Sequence, residues 1–317
     1  MSLEPTLTIA GLFLHPLKSG ASLAVHQATV SDTGLQYDRE WMVVDADGEF
    51  VSQRELPRMV QIKPELRHSE LVLRAPGMLP LHLRLDGAEG ELQVRVWNDT
   101  MQAFDMGDLA AQWCRDFLGV KGLRLAAFDS EAQRLSEARY SAGVQARNAF
   151  SDGFPLLVLS QASLDEFNRR LQAQGHAPVD LDRFRPNIML AGVDTPHGED
   201  QLSRLLIDTA QGPVELALTK PCPRCPIPDV NPATSERQTH ISDILNGYRR
   251  HERLGGAVAF GVFPGFPVAA HHAIATGADL AGGTQRDDAA IAVERGDGDR
   301  RRLQTLGTLL RRHDDFI

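Results

Sequence analysis

Between Leu7 and Asp105 the apolar residues come in short runs separated by turn-forming residues: 7 to 14, 40 to 45, 49 to 53, 59 to 63, 71 to 74, 81 to 85 and 91 to 96. Runs this short, rich in β-branched and aromatic residues, predict strands rather than helices. Strands must pair with one another, because an isolated one leaves its backbone N–H and C=O groups unmatched. Most of the links are short, so the pairing is expected to be mainly antiparallel. Asp45-Ala46-Asp47-Gly48 has the composition of a hairpin turn, and Asp86-Gly87 opens another connection.

The pattern then changes. Leu109, Trp113, Phe117 and Leu118 recur at helical spacing, which makes Cys114 a helix residue beside a core-facing Trp and most simply a small buried hydrophobe. After a strand-like run at 123 to 128, residues 129 to 150 are rich in Ser, Ala, Arg and Glu without a period, and are read as a linker or mobile loop. A second unit opens with the apolar run 155 to 159. Ser160 is placed to cap a helix carrying Leu164, Phe167, Asn168 and Leu171 on one face, with Gly175 placed to end it. Strand-like runs return at 187 to 191, 205 to 207 and 214 to 218, and 241 to 251 suggests another helix with Ile244, Leu245 and Tyr248 on one side. From Gly277 the chain is rich in Gly, Asp and Arg and is expected to be mobile, with only 301 to 312 helix-like. The fold expected is mainly β with α (α+β), a first unit of antiparallel strands followed by a second that is a barrel or sandwich decorated with helices.

Composition removes several classes of function. At 317 residues and 42% hydrophobic content the chain can bury two cores. It has no run of eighteen or more apolar residues, and residues 1 to 12 lack a signal-peptide pattern, so a soluble, cytoplasmic protein with no membrane span is expected. A net charge of −9 without a Lys/Arg run argues against nucleic acid and anionic membrane as partners. Three cysteines exclude a disulfide framework and draw attention to Cys222-Pro223-Arg224-Cys225.

Two sulfurs three residues apart, beside a fixed cation and among prolines, leave three readings open. Structural zinc would need two further ligands, and neither a second CxxC nor an H-x3-5-H pair exists, although His240, His251, His271 and His272 could be brought near by folding. A thioredoxin-like dithiol should open a helix, which Pro223, Pro226 and Pro228 oppose. An open thiolate site would bind a redox metal or cofactor through one sulfur.

Longer patterns bear on the choice. Phe184-Arg185-Pro186-Asn187-Ile188, Lys220-Pro221-Cys222-Pro223-Arg224-Cys225, Val230-Asn231-Pro232, Tyr248-Arg249 and Phe260-Gly261 resemble, in order, the signature of the MOSC domain. Leu14-His15-Pro16-Leu17-Lys18-Ser19 and Asp38-Arg39-Glu40-Trp41-Met42-Val43 resemble the family's N-terminal β-barrel domain, and the similarity covers roughly residues 5 to 270. The resemblance extends to the mitochondrial amidoxime-reducing component and its bacterial counterparts. It implies an N-terminal β-barrel-like domain over 5 to 128 packed on a MOSC β-barrel with peripheral helices over 130 to 281, followed by a tail over 282 to 317. It implies a molybdenum cofactor (Mo-molybdopterin) whose metal is bound by Cys225, with Cys222 a neighbour. It also implies that Lys18, Ser19, Arg39, Asp152, Arg185, Asn187 and Arg224 hold the cofactor, Asp152 more weakly supported than the rest. Taken singly, each of these has an ordinary structural explanation, as a polar turn, a surface ion pair or a Pro-containing bend. The implied reaction is two-electron reduction of a small N-hydroxylated or N-oxide compound; pyridoxal phosphate binding accompanies the family as a further term.

The match also departs from the family in places. The fused [2Fe-2S] domain of some members needs four cysteines, and none follows residue 225, so a separate electron donor is expected: a b5-type haem protein, or a ferredoxin with its flavin reductase. Phe260-Gly261-Val262-Phe263 has Phe where the family carries Tyr, and the closing segment after His272 is eroded. The rival expectations are a carrier of the cofactor, or of sulfur as a persulfide on Cys225, and a zinc-bound or metal-free interaction protein.

Overall fold

The burial pattern of the first strand sets the register of the largest sheet. In β1 (Thr8–Leu14), Ile9, Leu12 and Leu14 all enter one core, although Ile9 and Leu12 are three apart and should point to opposite faces. A register shift between Ile9 and Gly11 takes up the odd residue and keeps the apolar set on one side. The computed structural model describes residues 7–140, 146–209, 212–265, 272–276 and 291–295.

β1 lies near one end of an eight-stranded sheet that curls into a half-barrel. Its order is β18 (Ile291–Arg295), β14 (Leu202–Ile207), β15 (Val214–Pro223), β16 (Ala259–Gly265), β12 (Val158–Ser160), β13 (Ile188–Ala191), β1 and β2 (Leu23–Val25). Among its described strands only β12 and β13 pair in parallel, and the crossover this demands contains α2 (Gln161–Ala173). A second sheet joins β17 (His272–Ala275), β3 (Gln27–Ser31) and β4 (Gly34–Leu35). A third runs β5 (Trp41–Val44), β11 (Arg124–Phe128), β10 (Asp99–Asp105) and β9 (Gly90–Val96), and a fourth runs β6 (Lys63–Arg67), β7 (Glu70–Arg74) and β8 (Leu81–Arg84). With α1 (Gly107–Leu118) and α3 (His240–Tyr248), the described residues form a mainly β, α+β fold.

Strand pairing crosses the expected boundary between the two halves. β1 pairs with β13, and β17 pairs with β3, so Leu7 to Leu35 share one apolar core with Leu156 to Ile274. A second core packs α1 against β7, β8 and β11; Cys114 is fully buried there, and burial pushes its thiol up to about 12, which leaves it inert as expected. A third core sets Phe167 of α2 against Phe184 and Phe260, with Ile241, Ile244 and Leu245 of α3.

Four local expectations give way. Residues 59 to 62 form no strand: Pro57 fixes φ at the start of a 3-10 turn, Pro57–Gln61, that takes up most of the run, and only Lys63 belongs to β6. Residues 49 to 53 contribute only isolated bridges, Val44 to Phe50 and Glu49 to Arg95. Ile291–Arg295, assigned to a mobile tail, forms the edge strand β18 against β14; the helix suggested at 301 to 312 lies outside the described residues. The segment read as a linker is tied down: within its described residues, Leu135 bridges Arg147 and Asn148 N–H donates to Arg134 O at 2.8 Å. Among the described residues no helix is long and apolar enough to cross a membrane.

The start of α2 makes a test of local stability. Ser160 Oγ accepts from Ser163 N–H at 3.1 Å and donates to the buried Glu199 carboxylate at 2.7 Å. Ser160→Ala removes the cap and one carboxylate donor together, and is expected to cost about 2 to 3 kcal/mol. A urea titration should show a lower midpoint with an unchanged slope.

Candidate functional site

The loop after β1 and the turn before β5 lie side by side. Lys18 N–H donates to Trp41 O at 2.7 Å, Arg39 N–H to His15 O at 3.0 Å and Trp41 N–H to Pro16 O at 3.0 Å. This clasp places the Lys18 and Arg39 side chains on one wall of a cavity of about 750 Å³. Residues 151 to 154, Phe184, Arg185, Asn187 and the end of β15 line it as well. All eight residues singled out in the sequence, Lys18, Ser19, Arg39, Asp152, Arg185, Asn187, Arg224 and Cys225, line this cavity.

The backbone is held under strain there. Ser19 (φ 65°), Arg39 (φ 51°), Arg185 (φ 57°) and Trp97 (φ 57°) occupy the left-handed region, and all four line the cavity. A side chain in that region costs on the order of 1 to 3 kcal/mol, which the surrounding fold must supply. For Arg185 the support is visible: His15 Nε2 contacts Pro186 O at 3.1 Å, and the Arg185 guanidinium donates to Gly20 O.

Electrostatics set the site apart from the rest of the chain. Its lining carries seven cationic side chains (Lys18, Arg39, Arg54, Arg134, Arg185, Lys220, Arg224) against three acidic ones (Asp99, Glu137, Asp152), in a protein of net charge −9. Lys18 Nζ donates to Asp152 Oδ1 at 2.6 Å and to Phe150 O at 2.7 Å. Burial pulls Lys18 down from its ordinary value to about 8, and Asp152 partly restores it. Burial alone would raise the Asp152 carboxyl, but the charges of Lys18 and Arg54 hold it well below the usual carboxylate range. Burial, then the neighbouring Arg39 guanidinium, lower Arg185.

The two cysteines have different surroundings. β15 continues through Pro223, so Cys222 ends a strand rather than lying in a loop. The prolines are tolerated because the register against β16 shifts between Pro221 and Pro223. Cys222 is buried, which raises its thiol, and Arg224 Nη1 donates to its sulfur at 3.1 Å. Cys225 lies beyond the strand, partly exposed on the cavity wall, and Arg54 Nη2 meets its Sγ at 3.6 Å. Among the described residues no group of three His, Cys, Asp or Glu side chains is arranged to hold a metal.

Some of these residues were chosen in the sequence for one role and show another contact here. Asn187 is fully buried: its Oδ1 accepts from Arg39 Nη1 at 2.9 Å and from Leu157 N–H at 3.1 Å, and its Nδ2 donates to Phe13 O. It orients Arg39. Sequence reasoning missed Arg54, Trp97 and Arg134. Arg134 lies in the presumed linker yet is buried, donating to Asp99 at 2.8 Å and to the carbonyls of Ala149, Ser151 and Asp152. Only its position in a polar, aperiodic segment was available, and that gave no signal.

Residues 6–121 match the MOSC N-terminal beta barrel domain, and residues 145–280 match the MOSC domain. Mitochondrial amidoxime-reducing component 1 of Mus musculus is 34% identical over 257 residues, spanning 78% of this chain and 73% of the mouse protein. The chain belongs to the MOSC family. Mitochondrial amidoxime reducing component 2 of Rattus norvegicus is 32% identical, covering 78% of this chain and 74% of its own. The molybdenum cofactor sulfurase of Homo sapiens is 28% identical over 76% of this chain, which corresponds to 28% of the human protein. The MOSC relatives thus include reductase components and a cofactor-modifying enzyme, and a function related to molybdenum cofactor follows for this MOSC protein.

The Arg134 clamp can be tested independently of any ligand. Arg134→Met leaves three carbonyls and Asp99 without their donor and is expected to cost about 3 kcal/mol. Faster amide hydrogen exchange confined to residues 148 to 153 is the local signature.

Proposed function

We propose that this MOSC protein binds molybdenum cofactor with Cys225 as the protein ligand to the metal, and that it reduces small N-hydroxylated or N-oxide compounds. The observation that carries the reading is a partly exposed thiol on the wall of a cavity whose cations outnumber its carboxylates seven to three. When bound, the cofactor supplies two-electron oxygen-atom chemistry. The pterin's phosphate needs fixed cations and polar donors: Lys18, Arg39, Arg185 and Arg224 provide the charge, the arginines as planar forks and Lys18 as a point charge, and Ser19 a hydroxyl donor. Arg224 Nε is buried without a partner among the described residues, a donor still open to a ligand. Asn187 acts through Arg39, and Asp152 through Lys18 and Arg54.

Cleaving an N–OH bond takes two electrons and two protons and yields the N–H product and water. Asp152 stays ionised between its cations, so it accepts hydrogen bonds and does not deliver protons; the protons come from solvent. Electrons come from a donor protein, a b5-type haem protein or a ferredoxin with its flavin reductase. Three unpaired cysteines suit the reducing conditions of the cytoplasm.

The second reading is a carrier of the cofactor or of sulfur, favoured by the 28% identity to a molybdenum cofactor sulfurase. A carrier binds cofactor without turnover. The decisive experiment measures molybdenum content and amidoxime reduction with a chemical electron donor in wild type, Cys222→Ser and Cys225→Ser. Loss of activity of at least a hundredfold in Cys225→Ser alone is expected. Equal activity in all three proteins would remove the assignment, and loaded but inactive wild type would favour the carrier.

Lys18 gives a pH test of the cation cradle. Below its pKa of about 8 the ammonium is charged and attracts a phosphate; above it the charge is lost. Affinity for a phosphate monoester, whose own second ionisation is complete above about pH 7, should therefore fall between pH 7 and 9. Calorimetric titration should show this fall in wild type and a flatter profile in Lys18→Gln.

A further inference from the structure

Arg39 and Arg185 both line the cavity, but the residue that ties their two turns together does not. His15, which directly follows β1, is fully buried and lies outside the lining. Its backbone is bonded to the Arg39 turn: its N–H donates to Asp38 Oδ1 at 2.7 Å, and its carbonyl accepts from Arg39 N–H at 3.0 Å. The other oxygen of Asp38 accepts from the Arg39 guanidinium. The imidazole of His15 reaches the second turn, where Nε2 meets Pro186 O at 3.1 Å.

A carbonyl only accepts, so Nε2 carries the proton and the neutral ring has a bare Nδ1. Nδ1 has no partner among the described residues. Burial, then the charges of Arg39 and Arg185, hold the imidazole well below its ordinary value, and it stays neutral. A neutral donor suits the position. An ammonium or guanidinium there would add a third charge beside two like ones.

The Arg185 turn needs such a tie. Arg185 has a φ of 57° and precedes Pro186, and a residue before proline favours extended backbone. Among the described residues, three bonds hold the main chain of Arg185 and Pro186. They are Arg185 N–H to Leu181 O at 3.1 Å, Arg39 Nη2 to Arg185 O at 3.3 Å, and the bond from His15. Of these, only the His15 bond couples the turn to Arg39 without drawing on the Arg39 guanidinium itself.

We infer that His15 is a positioning residue: its bond to Pro186 O fixes the Arg185 turn against the Arg39 turn, and so sets the spacing of two guanidiniums that grip one phosphate group. His15 itself touches no ligand. Only the natural source of that phosphate rests on the cofactor reading; the spacing of the two cations does not. Two like charges held at a fixed separation bind a dianion better than two that can move apart, because their repulsion is overcome by folding rather than by binding.

The test is calorimetric titration of the cofactor-free full-length chain with phenyl phosphate near neutral pH, with urea midpoints to check folding. His15→Phe keeps an aromatic ring in the buried position and removes the donor; it is expected to weaken binding roughly tenfold, the scale of one hydrogen bond. His15→Gln carries an amide N–H in place of the imidazole N–H and should restore affinity to within about threefold of wild type. Additivity gives the second readout. Because His15 acts through Arg185, His15→Phe should cost no more than about twofold further in the Arg185→Gln background. It should keep its full effect in the Lys18→Gln background, since Lys18 Nζ is held by Asp152 and Phe150 instead. Wild-type affinity in His15→Phe, an equal loss in His15→Gln, or an undiminished loss in the Arg185→Gln background overturns the inference. Phosphate binding that depends on the His15 donor in a chain that takes up no molybdenum upholds it and counts against the cofactor reading alone.

Discussion

The contact on which the site depends is the bond from Lys18 Nζ to Asp152 and to the Phe150 carbonyl. Lys18 follows β1, whereas Asp152 lies 134 residues further along the chain. Burying an ammonium is costly, and an unpaired one in this position would simply discharge. The carboxylate and carbonyl keep it useful as a cation, and Lys18 and Arg54 in turn keep Asp152 ionised. Such a pair adds little net stability compared with apolar packing, but breaking it leaves a buried charge behind. Its value here lies in fixing position. The 150–152 segment cannot move without uncovering a charge.

The same logic explains why the two halves of the chain interlace. A site assembled from the loop after β1, the turn at Arg39, the 151–154 loop and the end of β15 needs those segments held to within a fraction of an ångström. Sheet pairing does this at long range: β1 lies on β13, which runs out of the Arg185-Pro186-Asn187 turn, and β15 lies on β16. Asn187 locks the arrangement by bonding Arg39, Leu157 and Phe13 at once. Left-handed backbone at Ser19, Arg39 and Arg185 is tolerated because both flanks of each turn are anchored in this way.

What could be read from the sequence follows from which forces act locally. Strand runs, the helix at Gln161–Ala173 and its Ser160 cap were legible because periodicity and capping are properties of neighbouring residues. The turn at Pro57–Gln61 was misread because an apolar run looks the same in a strand and in a buried 3-10 turn. The cavity residues chosen through the family resemblance converge because they lie in its ordered motifs. Arg134 and Arg54 escaped for a physical reason: an Arg in a polar segment looks like a solvated surface charge until the fold brings three carbonyls or a cysteine to it.

The interlacing has a consequence for folding order. Most contacts within β9, β10 and β11 are local hairpin pairings, whereas β1 to β13 and β3 to β17 join residues more than 170 positions apart. Loop-closure entropy disfavours the latter until the intervening chain is already compact. The strands that carry Lys18 and Arg39 into register with Arg185 and Asn187 should therefore be placed late. The left-handed turns are strained in isolation and stable only once both partners are present, so the cation cradle and the interlaced strands should form in one step. A chain with the cradle disrupted would then retain its hairpins while losing the long-range pairs, since the same residues hold the ligand site and close the fold.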